Sequence, residues 1–334
     1  MKKPGRYIQQ KGLINKVGEY CNECQKLLIL LGGFNSKLFI EKIRPSLTIS
    51  HEFLVYEKES TKANILTIVN KMRNENFDGI MAVGGGKIID IAKAVCFYHD
   101  SYLIVMPTAA SMDGACSAIS VLYQEDGKMD RYLYLEKNPD IVLADSEIIF
   151  AAPFKLICAG MADALATYFE TKNYARYNEV EPEVMQMSYA CLYNIIDNYD
   201  DVKKAYTRNQ INEEVEKVIE TILYDSGVAF ENSSTSVAHA FANASTKLKN
   251  SVGMHGERVA LGLRLQLLLE ENDWVKDLDH FLKALQLPMH LSDLHIEEKV
   301  FDELIEGMLK EEGMKYAEHE LNKEELKEYI EIIK

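Results

Sequence analysis

The chain has 334 residues, enough for about two domains, and a hydrophobic share of 47% excludes a disordered protein. Its 37 basic and 52 acidic residues leave a formal charge of −15, which excludes nucleic acid and anionic membrane as expected partners, because both affinities are built on Lys and Arg. The opening Met1-Lys2-Lys3-Pro4-Gly5-Arg6 leads into no apolar signal-type run, and no stretch approaches the ~20 residues of a membrane span, so a soluble, cytoplasmic protein is expected.

Leu27–Leu31 is an apolar run of strand length, stopped by Gly32 and Gly33. Phe53–Tyr56 reads as a second strand, and Thr61 to Asn74 as a helix with Ile65, Ile68, Val69 and Met72 on one face. Gly79–Val83 is a buried strand followed at once by glycines; Lys87–Tyr98 is a helix; Ser101–Met106 is a strand stopped by Pro107. Strands alternating with helices of this length predict a parallel sheet covered on both faces. After Asp145 the patterns are helical: Ala159–Tyr174, Pro182–Tyr199, Glu213–Ser226, a run through His239, and Glu257–Glu270. The last forty residues carry thirteen acidic and six lysine side chains among helically spaced Leu and Ile, which reads as a solvated helix face. The expected fold is therefore an α/β, Rossmann-like nucleotide-binding domain over residues 1–145, then an all-α domain over 146–334. The six cysteines are scattered, so no disulfide framework is expected. The Cys21-Asn22-Glu23-Cys24 pair has no second CxxC to complete a zinc site and reads as incidental.

Two loops carry chemistry in the first domain. Met81-Ala82-Val83-Gly84-Gly85-Gly86-Lys87 is a strand, a glycine turn and a helix start. Glycines let a backbone approach a diphosphate, and the helix N-terminus offers free N–H groups. A P-loop is excluded, because Met81 stands where its first glycine would be and Ile88 where its magnesium-binding hydroxyl would be. The G-x-G-x-x-G fingerprint fails at Ile88 and Ile89 as well, so the turn alone fits a tight corner as well as a phosphate cradle. The second loop, Pro107 to Tyr123, follows a strand directly and offers Thr108, Ser111 and Ser117 as hydroxyls and Asp113 as a carboxylate.

In the second domain Asp163 lies in a mostly apolar helix, His239 in another, and His255 between Gly253-Met254 and Gly256 at the head of a third. A buried carboxylate needs a partner. Two histidines and a carboxylate, each among Ala and Gly, make a three-ligand metal site with an open position. No local HExxH-type spacing fixes the geometry, and core histidines are the alternative. His51, His99, His280, His290, His295 and His319 stand in polar settings and read as surface.

These segments together resemble the iron-containing alcohol dehydrogenase superfamily, and within it the glycerol dehydrogenases. The resemblance runs from Gly5-Arg6-Tyr7-Ile8 to about Leu265. It includes Gly84-Gly85-Gly86-Lys87-x-x-Asp90-x-x-Lys93, the Pro107–Tyr123 loop, Lys137-Asn138-Pro139-Asp140, Ala159–Glu170 and His255-Gly256-Glu257. It implies a dehydroquinate synthase-like two-domain plan. It implies that Gly84, Gly85, Gly86 and Lys87 hold the NAD pyrophosphate, with Asp90 of the same motif on the cofactor side. Thr108, Ser111, Ser117, Ile119 and Tyr123 would line the rest of the cofactor. Asp163, His239 and His255 would bind the metal, zinc by preference with ferrous iron as the alternative. Asp113 would lie beside substrate and nicotinamide, and with His239 would carry the catalysis. The implied reaction is oxidation of a small polyol, glycerol to dihydroxyacetone, by hydride transfer from a metal-bound alkoxide to NAD. A hydroxyketone is the reverse substrate, and a homo-oligomer is expected.

The sequence departs from the family in three places. Gly32-Gly33-Phe34-Asn35 stands where many members carry an acidic residue for the adenine ribose, so NADP stays open beside NAD. Ala242 and Asn243 stand where some relatives have a third histidine, so three protein ligands are expected. Met112-Asp113-Gly114 is more similar to sn-glycerol-1-phosphate dehydrogenases, which makes dihydroxyacetone phosphate reduction the rival reaction. A 3-dehydroquinate synthase-like lyase ranks lower, because Ala118-Ile119-Ser120 replaces that family's Gly-Gly-Lys. A non-catalytic nucleotide-binding protein would not need the ligand set of Asp163, His239 and His255.

Overall fold

The computed structural model describes residues 1–124 and 129–334. The chain divides into two compact units. One comprises Lys2–Ala110 and Gly114–Pro153; the other comprises Phe154–Lys334 with Ser111–Asp113 and Met1.

The first unit is built on a parallel sheet of six strands: β1 (Arg6–Gln9), β2 (Lys26–Leu31), β3 (Ser50–Val55), β4 (Gly79–Gly84), β5 (Tyr102–Pro107) and β8 (Ile141–Ala144), in the order β1-β8-β5-β4-β2-β3. Leu27 to Leu31 and Ile80 to Val83 are wholly buried, as continuous apolar strands must be in a sheet covered on both faces. Helices α1 (Ser36–Ile43), α2 (Lys62–Glu75) and α3 (Gly86–Tyr98) make the crossovers, and the short α4 (Ser146–Phe150) follows β8. Thr61 caps α2 by accepting the Asn64 amide at 3.3 Å. From β2 the chain moves outward to β3 on one side, then returns to β4, β5 and β8 on the other. The reversal falls between β2 and β4, and in open α/β sheets the crevice at the carboxyl ends of such a strand pair takes the ligand.

The Pro107–Tyr123 segment ends differently from the loop its small residues predict. Ile119–Tyr123 is a strand, β6, paired antiparallel with β7 (Met129–Tyr134). The alternation of Ser120 and Leu122, both fully buried, with half-exposed Ile119, Val121 and Tyr123 is the period of two that a one-sided strand shows.

The second unit contains α5 (Phe154–Tyr174), α6 (Pro182–Thr207), α7 (Glu213–Glu220), α8 (Gly227–Asn232), α9 (Val237–Lys247), α10 (His255–Leu269), α11 (Val275–Leu285), α12 (Phe301–Met308) and α13 (Lys323–Ile332). The helix expected over Glu213–Ser226 is interrupted, because Thr221–Ser226 winds as a π-helical turn between α7 and α8. Small residues bring three helices together. A Cβ on Gly256 would strike the carbonyl of Ala159 in α5, and one on Gly262 the carbonyl of Ala238 in α9. The acidic tail is more than a solvated face: Phe301, Leu304, Ile305, Met308, Leu326, Ile330 and Ile333 share one core with Phe241 of α9 and Leu261 and Leu265 of α10. Among the described residues no helix is long and apolar enough to cross a membrane.

Candidate functional site

Asp163 sits midway along α5 and is completely buried. His239 is in the first turn of α9, and His255 is the first residue of α10. Asp163 Oδ1 lies 3.4 Å from Nε2 of His239 and 3.4 Å from Nε2 of His255. The three ligand atoms lie within 4.8 Å of one another. Oδ1 is fully buried yet accepts no hydrogen bond of ordinary geometry from the described residues, an arrangement that costs stability unless something else satisfies the oxygen. Ligand atoms around a tetrahedral ion with bonds of ~2.1 Å stand about 3.4 Å apart, so the two oxygen–nitrogen gaps have the span a divalent cation fills. The His255 side chain is 36% exposed against 9% for His239 and 0% for Asp163, so the cluster opens on the His255 side.

Surrounding groups fix the cluster. Glu170 lies seven residues after Asp163, two turns along the same face of α5. Its Oε2 is 2.6 Å from Nδ1 of His239. Its Oε1 accepts the backbone N–H groups of Ser236 at 2.7 Å and His239 at 3.0 Å. One carboxylate thus serves as the N-terminal partner of α9 and turns the His239 ring so that Nε2 faces Asp163. Asp163 Oδ2 accepts the Asp113 amide at 3.3 Å, and Asp113 Oδ2 accepts the Ser226 hydroxyl at 2.9 Å. Ser226, which ends the π-helical turn, is also 2.8 Å from the Thr167 hydroxyl.

The charges divide as the geometry requires. Burial raises the carboxyl of Asp113, and neighbouring Asp163 adds to it, bringing it to about 7. Burial works against ionised Asp163 as well, but His255 and His239 together outweigh it and hold that carboxyl below its ordinary value. For His239, burial disfavours the cation, and Glu170 and Asp163 overcome this and raise it well above an ordinary imidazole. A cation at Nε2 would displace that proton, so metal uptake releases protons.

The glycine turn lies at the point where the sheet reverses direction. Gly84 ends β4 and Gly85 precedes α3, with Gly86 and Lys87 in the first helical turn. A Cβ on Gly84 would press on Ile88, whereas one on Gly85 would meet nothing within 4 Å. The free side of Gly85 is the approach a phosphate needs to reach the helix N-terminus. Lys87 pairs with Glu59 at 2.7 Å. Thr108 donates its amide to the Gly84 carbonyl at 3.1 Å just past β5. Asp90 faces β6: its Oδ1 accepts the Val121 amide at 3.2 Å, and its own carbonyl accepts the Ser120 hydroxyl at 2.8 Å. Ser117 lies 3.3 Å from Nζ of the buried Lys93, which also donates to the Ile119 carbonyl at 3.0 Å and to the Gly114 carbonyl. Tyr123 ends β6 and donates its amide to the Ser60 carbonyl at 3.2 Å. Gly84 to Lys87, Asp90, Thr108, Ser117, Ile119 and Tyr123 therefore all belong to the α/β unit, and Ser111 and Asp113 belong to the unit of Asp163, His239 and His255. Residue-by-residue reading gave no separate role to Glu170, Ser226 or Lys93. For Glu170 the signal was a carboxylate two helical turns from Asp163 in the same apolar helix. Cys21 and Cys24 are both buried, with thiols that burial pushes up to about 12, so neither is poised for redox or metal chemistry.

A helical unit with a carboxylate and two imidazoles that could hold a metal, in a chain that also has a parallel-sheet unit with a glycine turn at a helix N-terminus, fits the class of dinucleotide-linked metalloenzymes. Residues 8–153 match the family model described as iron-containing alcohol dehydrogenase. The chain is 32% identical to a glycerol dehydrogenase of Escherichia coli over 89% of its length and 85% of that protein. It is 28% identical to a glycerol-1-phosphate dehydrogenase of Thermococcus sibiricus over 86% of its length and 82% of that protein. The glycerol dehydrogenase structure from Schizosaccharomyces pombe superposes with a TM-score of 0.92 at 26% identity, covering 100% of this chain and 89% of that one. The chain belongs to the iron-containing alcohol dehydrogenase family and is an oxidoreductase.

Proposed function

We propose that the chain is an NAD-linked polyol dehydrogenase that oxidises glycerol to dihydroxyacetone, with a divalent cation held by Asp163, His239 and His255. The observation that carries this is the buried, unsatisfied Asp163 Oδ1 flanked by two imidazole Nε2 atoms at 3.4 Å each. The bound cation would supply Lewis acidity toward a substrate hydroxyl, and NAD would accept the hydride. One carboxylate with two imidazoles is a zinc donor set that ferrous iron also accepts, and we assign zinc. Glu170 keeps His239 in the Nδ1-protonated tautomer and leaves Nε2 for the metal. Asp113, held by Ser226, offers a carboxyl that ionises at about 7, suited to proton exchange with a substrate hydroxyl at neutral pH. Gly85 and the first turn of α3 receive the pyrophosphate, and Thr108 offers a hydroxyl to the rest of the cofactor; the expected Ser117 hydroxyl is buried and donates to the Gly114 carbonyl at 3.1 Å, so it holds the loop instead.

Glycerol is favoured over glycerol 1-phosphate by the charge around the donors. Among the described residues, the strongest electrostatic influences on Asp163 and His239 are each other, His255 and Glu170, and the Asp113 carboxyl lies against Asp163. Arg258, one turn beyond His255, is committed to the hydroxyls of Ser245 at 3.0 Å and Ser251 at 2.8 Å. A phosphate would meet carboxylates there. The test is metal analysis of the purified protein together with NAD(P)H absorbance on glycerol, propanediols and glycerol 1-phosphate, and on the matching ketones in reverse. One divalent cation per chain and turnover on glycerol with NAD are expected. Full turnover by metal-free protein would overturn the reading, and turnover confined to glycerol 1-phosphate would replace the substrate.

A further inference from the structure

The sequence lacks an acidic residue at the end of β2, where dinucleotide folds place a carboxylate for the adenosine ribose. Gly32 and Gly33 stand there instead, and Gly32 donates its amide to the Val83 carbonyl at 3.3 Å, next to the glycine turn. The space is filled from another strand. The Tyr56 amide donates to the Leu31 carbonyl at 2.8 Å, which carries the chain beyond β3 alongside the end of β2. The following residue is Glu57, and a Cβ built on Gly33 would fall inside its carboxylate. The Glu57 carboxylate thus occupies the place that a side chain at position 33 would take. Two residues on, Glu59 pairs with Lys87 in the first turn of α3 at 2.7 Å, so this segment is tied to the turn proposed for the pyrophosphate. Glu57 itself is exposed. Phe34, directly after Gly33, is 81% exposed, an aromatic side chain that this end of the sheet leaves uncovered.

We infer that Glu57 is the adenosine-ribose ligand of this chain and the residue that selects NAD over NADP. A carboxylate accepts both vicinal ribose hydroxyls at once, and a 2′-phosphate at the same place would bring two anions together. Gly33 is then required to be small, because any larger residue there would expel the carboxylate that replaces the absent one. The end of β2 carries no acid and the segment after β3 carries Glu57, so one carboxylate stands at that place.

The inference rests on the NAD-linked reading above, and calorimetric titration with NAD+ and with NADP+ separates the two. Wild-type protein should bind NAD+ at least about tenfold more tightly than NADP+. Glu57→Gln should weaken NAD+ about tenfold without weakening NADP+, erasing the preference. The double substitution Glu57→Ala, Gly33→Asp, which returns the carboxylate to the end of β2, should restore it. Thermal melting without ligand should be unchanged in Glu57→Gln, since the side chain is exposed. If wild-type protein binds NAD+ and Glu57→Gln keeps the wild-type affinities for both dinucleotides, the inference alone is overturned. If wild-type protein binds neither dinucleotide, the NAD-linked reading falls and takes the inference with it.

Discussion

The candidate site of the α/β unit is made of main chain; that of the helical unit is made of side chains. At Gly85 the surface proposed for the pyrophosphate is bare backbone at a helix N-terminus, with open space where a Cβ would stand. At Asp163 it is a carboxylate from α5 and two imidazoles from the consecutive helices α9 and α10, which follow α5 at a long distance in sequence. The first kind of site is made locally by one strand, one turn and one helix. The second exists only when distant helices pack correctly, so it needs supports of its own. Glu170 bonds both the His239 ring and the start of α9, and the C-terminal helices bury Phe241, Leu261 and Leu265 behind the histidine-bearing helices. A backbone site should therefore tolerate side-chain changes that leave its approach open, whereas the side-chain site should fail with any one member.

The largest effect is expected at Asp163. Asp163→Ala removes the ligand shared by both imidazoles, and metal content and dehydrogenase activity should fall together to background, read by elemental analysis and NADH absorbance. Retained turnover would break the contrast at its strongest point. Glu170→Gln should cost less, about 10–100-fold in metal affinity measured by chelator competition, because the ligands remain and only the hold on His239 weakens. An unchanged affinity would mean that packing alone orients the ring. In the other unit, Gly85→Val should weaken NAD+ binding about tenfold while leaving the melting temperature in place, since the backbone there is ordinary extended chain with open space beside it. Gly84→Val, pressed against Ile88, should lower the melting temperature instead. Equal melting losses for both would sink the claim that Gly85 faces a ligand.

The smallest expected effect concerns pH. Burial, with Glu220 adding to it, raises the carboxyl of Asp225 in the π-helical turn from 3.8 to about 7. Between about 4 and 7 the native protein therefore holds a proton that the unfolded chain has released. Stability from this group is complete at low pH and is lost as pH rises through about 7. Asp225→Asn should flatten that part of the denaturation profile, by about 1 kcal/mol once solvent screening at this half-buried position is discounted. An unchanged profile would show that the carboxylate ionises normally.

What sequence determined was local in origin. The apolar run Leu27–Leu31, the strand-to-glycine change at Val83 and Gly84, and the facial spacing of Ile65 to Met72 each fix backbone form within a few residues, and β2, β4 and α2 stand where those patterns put them. Asp163, His239 and His255 stood out by chemical mismatch with their Ala- and Gly-rich helices. Only the tertiary structure decided that Asp163 Oδ1 lies 3.4 Å from both rings, because crossing of α5, α9 and α10 at Gly256 and Gly262 sets that distance. It also decided that Ile119–Tyr123 finds a strand partner, that the Glu213–Ser226 helix breaks to aim Ser226 at Asp113, and that Glu57 fills the place left by Gly33. Each depends on an atom contributed from elsewhere in the chain, and one-dimensional periodicity holds no record of which distant segment folds against which.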